Sequence, residues 1–310
     1  MTATTAPNSV APVLPWAADD HSYRAWRERK LSRHPRRVED LVVEIADPAM
    51  PTAAERAALL DRVKRANMAV YACRHPENVT KEDLQRLGAQ FGLVTLDANM
   101  CADEDSVSSI EVRGEGLKGG FIPYSDRPIN WHTDGYYNAA DRQVRGMILH
   151  CARAAAAGGV NDVLDHEIAY ILLREEDPAL AAALMHPEAM AIPPNEMDGA
   201  EVRAETTGPV FSIHAPTASL HMRYTARTRS VRWRDDSATQ RAAAALTRLL
   251  NDASNPWIFH HRLEPGQGFL CNNVLHTRSG FRDDPARPRL LYRARYYERI
   301  AGTGFLDRTV

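Results

Sequence analysis

The segment Trp131-His132-Thr133-Asp134-Gly135 and the distant Val274-Leu275-His276-Thr277-Arg278 constrain this chain more than any other feature, because together they offer two imidazoles and one carboxylate. In extended backbone, side chains at i and i+2 project to the same side, so His132 and Asp134 converge on one point. A third group, His276, then completes a facial set. Two His and one carboxylate with other positions open are the donors of non-haem Fe(II) oxygenases. Zinc accepts the same three donors with a water in the fourth place, so a zinc-dependent hydrolase shares the pattern. Any fold that uses these residues must bring two segments, far apart in sequence, side by side.

A second run narrows the choice. Arg289-Leu290-Leu291-Tyr292-Arg293-Ala294-Arg295-Tyr296-Tyr297 alternates and is rich in aromatics, the pattern of a strand. On a strand Arg289, Leu291, Arg293 and Arg295 share a face. Guanidinium groups keep their charge, so those that point into a closed core need anions that pair with them. A dicarboxylate cosubstrate supplies such an anion, whereas a hydrolase has no need of the arginine strand. A non-catalytic binding protein of the same fold predicts a degraded triad, and this triad is intact.

Around these segments the pattern is mixed. Ala54 to Asn67 reads as a helix, Met68 to Cys73 as a strand, and Lys81 to Phe91 as a second helix. Val107 to Arg113 reads as a strand, and Gly114 to Pro128 as a loop able to form a lid. Gln143 to Arg153 reads as a core strand. A helix starts at Asp165, its cap, and ends near Pro178; an amphipathic helix spans Ser237 to Asn251. Residues 179–230 read as a long irregular insertion in which Pro209-Val210-Phe211-Ser212-Ile213 and Leu220-His221-Met222-Arg223-Tyr224 resemble short strands, with Arg223 and Tyr224 placed on a surface strand. Residues 1–20 read as a flexible arm, and 21–310 as one catalytic domain.

Composition sets outer limits. The chain has 310 residues, 44% hydrophobic and 25% charged, enough for a full core. Its formal charge of −2 and lack of a long basic block argue against a nucleic-acid partner. No apolar run approaches membrane-spanning length, and the first residues lack a signal-peptide pattern. The four cysteines have no zinc or redox spacing, which suits a reducing, cytoplasmic setting. A homo-oligomer would be ordinary.

The triad, the arginine strand after the distal His and the order of segments resemble the taurine dioxygenase group of Fe(II)/2-oxoglutarate-dependent dioxygenases. The likeness takes in the helix-strand-helix entry and the turn plus strand Leu263-Glu264-Pro265-Gly266 to Asn273, and covers roughly residues 54 to 297. It implies a double-stranded β-helix, a cupin-like jelly roll flanked by helices. It makes His132, Asp134 and His276 the iron ligands and Arg289 the partner of the distal carboxylate of 2-oxoglutarate. Dioxygen is the oxidant. Arg293, four residues on, repeats the family spacing of an arginine that meets an anionic substrate group. The family's Gly-Gly-x-Thr appears here as Gly158-Gly159-Val160-Asn161, with Asn161 in the cosubstrate-binding place of Thr. Related halogenases lack the carboxylate ligand, so Asp134 disfavours halogenation. Tyr136, Tyr137 and Asn138 follow the metal motif and either line the pocket of a small-molecule substrate or plug it.

Overall fold

The computed structural model describes residue 16 and residues 20–98, 103, 105–112, 121–197, 200–227 and 231–308. Two sheets and two groups of helices make up its core. The larger sheet takes β1 (Val42–Ile45), β2 (Met68–Cys73), β3 (Ser108–Ile110), β5 (Gly146–Arg153), β16 (Gln267–Cys271) and β19 (Leu290–Tyr296) in the order β1-β2-β16-β5-β19-β3. The smaller takes β4 (Ile129–His132), β7 (Asn161–Leu164), β15 (Phe259–His261) and β17 (Leu275–Arg278) in the order β15-β7-β17-β4. All pairings in these two sheets are antiparallel except that of β1 with β2.

Alternation assigns each face. In β2, Met68 and Val70 join Met147, Leu149 and Phe269 of the larger sheet and Val163 and Phe259 of the smaller in one buried cluster, so the two sheets pack face to face. Ala69 and Tyr71 point the other way, onto Leu59 and Val63 of α2 (Ala53–Ala66) and Leu84 and Leu87 of α3 (Lys81–Gln90). Both helices start at capping boxes, Thr52 with Glu55 and Thr80 with Asp83. The far side of the smaller sheet, through Trp131, Leu164 and Leu275, packs on α4 (His166–Glu176), α5 (Pro178–Leu184) and α6 (Ser237–Leu250). Asp165 caps α4 by accepting from Glu167 N–H.

Four expectations change. The stretch 179–230 is more organised than expected: the two short strands expected near 209–213 and 220–224 form as β12 (Phe211–His214) and β13 (Ser219–Met222) and pair, and in addition β8 (Met190–Ile192) pairs with β11 (Thr206–Gly208) and β14 (Arg232–Trp233), and β9 (Asn195–Met197) with β10 (Ala200–Arg203). Arg223 and Tyr224 are buried rather than on the surface, because Arg223 donates to the carbonyls of Met190, Thr206 and Gly208 while Tyr224 joins the helix-side core. The strand expected to Arg113 ends at Ile110, where its pairing with β19 stops; Arg113 and the Gly114–Gly120 part of the expected lid loop lie outside the described residues. Within the expected arm, Trp16 is anchored, its indole donating to Ala218 O and its ring set edge-on to Trp26, Tyr170 and Phe305, while residues 1–15 and 17–19 lie outside the described residues. A helix α1 (Asp20–Arg33) follows Trp16, and the short pair β6 (Ala157–Gly158) and β18 (Phe281–Arg282) completes the set. Among the described residues no helix is long and apolar enough to cross a membrane.

Candidate active site

Antiparallel pairing of β17 with β4 sets His276 directly opposite His132. Asp134 lies just past the end of β4, where Gly135 turns the chain at φ 64°. One donor atom from each of His132, Asp134 and His276 falls within 4.8 Å of the others, and the two imidazole centroids are 4.2 Å apart. His132 Nδ1 lies 2.8 Å from Asn130 O and His276 Nδ1 3.0 Å from Val274 O. Both contacts call for a proton on Nδ1, which leaves each Nε2 lone pair free.

The charges suit a cation. Burial, and then the neighbouring His276, press the His132 imidazole down to about 3, and burial lowers that of His276, so both rings are neutral at physiological pH. Burial disfavours ionisation of Asp134, yet Arg293 and then Arg295 outweigh it and hold the carboxyl well below its usual range. Asp134 Oδ1 accepts from Arg293 Nη1 at 3.1 Å, while Oδ2 is buried without a hydrogen-bond partner among the described residues. Two neutral nitrogens, one carboxylate and a partnerless oxygen are what a divalent ion requires.

Arg289, Asn161, Gly158 and Gly159 line a separate small cavity, tied to the ligand-bearing strand β17 through Asn161. Arg289 Nη1 is buried with no partner among the described residues, and burial lowers the guanidinium to about 10. A Cβ at Gly159, whose φ is 75°, would stand 3.8 Å from Arg289 Nε and narrow that approach. Asn161 Nδ2 donates to Thr277 O at 2.7 Å, which uses one of its two amide hydrogens. Phe281 lies between two guanidinium groups, those of Arg289 and Arg278, each 4.9 Å from its ring centre. Arg278 in turn donates to the carbonyls of Pro123, Ser125 and Arg127 and so ties down the loop that leads into β4.

Of the three residues after the metal motif, Tyr137 and Asn138 are engaged. Tyr137 OH accepts from Arg295 Nη1 at 3.0 Å, and Asn138 Nδ2 donates to Arg142 O at 2.9 Å. Tyr136 packs edge-on against Tyr137, and its hydroxyl makes no hydrogen bond among the described residues. Sequence reasoning missed Thr225, bridged to His132 across the strand edge, and Asn273, which binds the backbone of Asp134. Only tertiary pairing reveals either one, although Asn directly before the Val274 segment carries a turn signal.

Fold and site together define a class: a face-to-face pair of sheets that carries a candidate two-histidine, one-carboxylate metal centre. A profile described as "Taurine catabolism dioxygenase TauD, TfdA family" matches residues 74–295, and the chain belongs to this family. It is 34% identical over 173 residues to a uridine-5'-phosphate dioxygenase of Amycolatopsis sp, a match that covers 54% of this chain and 60% of that protein. A uridine-5'-phosphate dioxygenase of Streptomyces sp is 30% identical over 205 residues, 62% of this chain and 69% of that one. The fold is shared with an asparagine oxygenase solved with Fe(II), 2S,3S-3-hydroxyasparagine and succinate, at a TM-score of 0.55, 17% identity and 79% coverage of both chains.

Proposed function

We propose that the chain is an Fe(II)/2-oxoglutarate-dependent dioxygenase that oxidises, by hydroxylation, a C–H bond of a small anionic metabolite, and that its two sheets form the jelly roll of that family. The observation that carries the reading is that the chain holds both a buried Asp134 oxygen and a buried Arg289 nitrogen without hydrogen-bond partners among the described residues. One calls for a cation and the other for an anion. A zinc hydrolase uses only the first.

In this reading His132, Asp134 and His276 hold the iron, and Arg289, with Asn161 beside it, receives the distal carboxylate of 2-oxoglutarate. When bound, the iron supplies the chemistry by which dioxygen, 2-oxoglutarate and the substrate C–H give succinate, carbon dioxide and the hydroxylated product. The protein's own residues orient and exclude. The two Nδ1–H contacts fix the imidazole rings, Arg278 holds the loop before β4 against the site, and buried Leu275 and Trp131 close the sheet from behind. The names of the relatives extend the reading to a phosphate-bearing nucleoside, for which Arg293 and Tyr136 are the candidate contacts. Tyr137 and Asn138 then act as supports of the pocket wall. We read 21–310 as one catalytic domain at work in a reducing, cytoplasmic compartment, in line with the free cysteines Cys73, Cys151 and Cys271.

The test is anaerobic visible absorption as Fe(II) and then 2-oxoglutarate are added, followed by succinate release with uridine 5'-phosphate. A charge-transfer band that needs both additions and is lost in His132→Ala is expected. Bound metal without such a band would move the reading to the hydrolase.

A further inference from the structure

We propose that Asn273 is a positioning residue that joins the two halves of the triad and thereby sets the metal affinity of the site. This rests on the metal reading above. Asn273 is buried and left-handed, at φ 51°, three residues before His276 in the turn that enters β17. Its amide is spent on the segment that carries the other two ligands. Oδ1 accepts from the Asp134 N–H at 2.8 Å, and Nδ2 donates to the Asp134 carbonyl at 2.9 Å and the Val144 carbonyl at 2.7 Å.

The amide therefore pairs with both polar groups of Asp134 as a neighbouring strand would, across 139 residues of sequence. Asp134 needs such a hold. It stands beyond the last paired residue of β4, next to a glycine turn, so the β4–β17 ladder that registers His132 against His276 does not reach it. Asn273 fixes the backbone of the residue, and Arg293 holds one oxygen of its carboxylate. The neighbouring Asn272 looks elsewhere, to Asn67, Thr303 and Ile300 N–H.

Two demands meet at position 273: a left-handed backbone, and a side chain that accepts and donates at once. Asparagine meets both, and glycine meets only the first. Asn273→Gly thus deletes the hold while sparing the turn, and Asn273→Ser leaves a shorter hydroxyl in its place.

The experiment measures the Mn(II) dissociation constant and the Co(II) visible spectrum of the wild-type chain and both variants, alongside urea melts of the metal-free forms. Asn273→Gly is expected to bind Mn(II) about 10- to 100-fold more weakly, the usual effect of losing an outer partner of a metal ligand, with altered Co(II) bands. Asn273→Ser shifts the same way by less and decides the matter if the glycine variant does not fold. Folded variants that bind Mn(II) within about twofold of wild type, however far their melts fall, overturn the proposal and leave Asn273 a turn residue. Failure of the wild-type chain itself to bind Mn(II) overturns instead the metal reading on which the proposal stands.

Discussion

Two buried charged clusters in this molecule differ in how they are answered. Under α1, Lys30 Nζ lies 2.5 Å from Asp165 Oδ2 and 2.6 Å from Glu167 Oε2, and Asn67 Nδ2 donates to Asp165 Oδ1 at 2.8 Å. Each charge there has its opposite within ion-pair distance from the protein itself, although Lys30 Nζ and Asp165 Oδ2 form no hydrogen bond among the described residues. In the candidate active site Asp134 has Arg293 on Oδ1 but a buried Oδ2 without a hydrogen-bond partner, and Arg289, just before β19, has a buried Nη1 without one and forms no ion pair among the described residues. Buried charges are normally paired, so a buried guanidinium with no ion pair from the protein is a candidate for completion from outside. The first cluster is therefore read as architecture that locks α1 and the start of α4 to the core. The second is read as a receptor for a cation and an anion.

The sharpest way to break this contrast is to remove the cation of the first cluster. Lys30→Met strands two buried carboxylates, and urea unfolding should show a loss on the order of 3–5 kcal/mol that added Mn(II) does not restore in proportion. A loss under about 1 kcal/mol would mean the cluster is not the lock described. At the second cluster the main expected effect lies in binding. Arg289→Met should raise the KM for 2-oxoglutarate roughly 10- to 100-fold, as the loss of a charge-assisted hydrogen bond does, while the urea midpoint stays close to wild type. A large fall in stability with an unchanged KM would make Arg289 architecture too.

Acid provides the gentlest probe. His34 and His166, beside the Lys30 cluster, and His150, stacked on Tyr71, are each lowered to about 4, chiefly by burial. Folded, they stay neutral, whereas in the unfolded chain they take up protons near the ordinary histidine value of about 6.5. The unfolded state then binds more protons, so stability is fully present above about pH 6.5 and declines as the pH falls toward 4, by about 1.4 kcal/mol per pH unit for each such ring. Urea midpoints measured across that window test the slope. A flat profile would mean that the rings protonate without unfolding.

What the sequence makes legible follows physical range. The helices expected over Ala54–Asn67 and Lys81–Phe91, the strand Met68–Cys73 and the helix expected over Ser237–Asn251 are local patterns, and the structure reproduces them within a residue or two. The three candidate ligands are legible because the arginine strand and the order of segments surround a His-x-Asp that by itself arises often by chance. Arg223 was misplaced because a lone guanidinium in a polar stretch carries no local sign of the three carbonyls that bury it, which come from β8 and β11. The engagement of Tyr137 OH with Arg295 and the pairing of Asn273 with Asp134 are hidden for the same reason, since their partners are 158 and 139 residues away.

That separation also bears on how the protein comes into being. During synthesis His132 and Asp134 leave the ribosome long before Asn273 and His276, and the smaller sheet cannot close until β17 exists to sit between β7 and β4. Closing so long a loop is entropically costly and slow compared with forming α2 or α3. A nascent chain therefore passes through a period in which only two of the three candidate donors are present. On the metal reading proposed above, loading belongs to the end of folding, and the ion would be a lock on the finished molecule rather than a template for it.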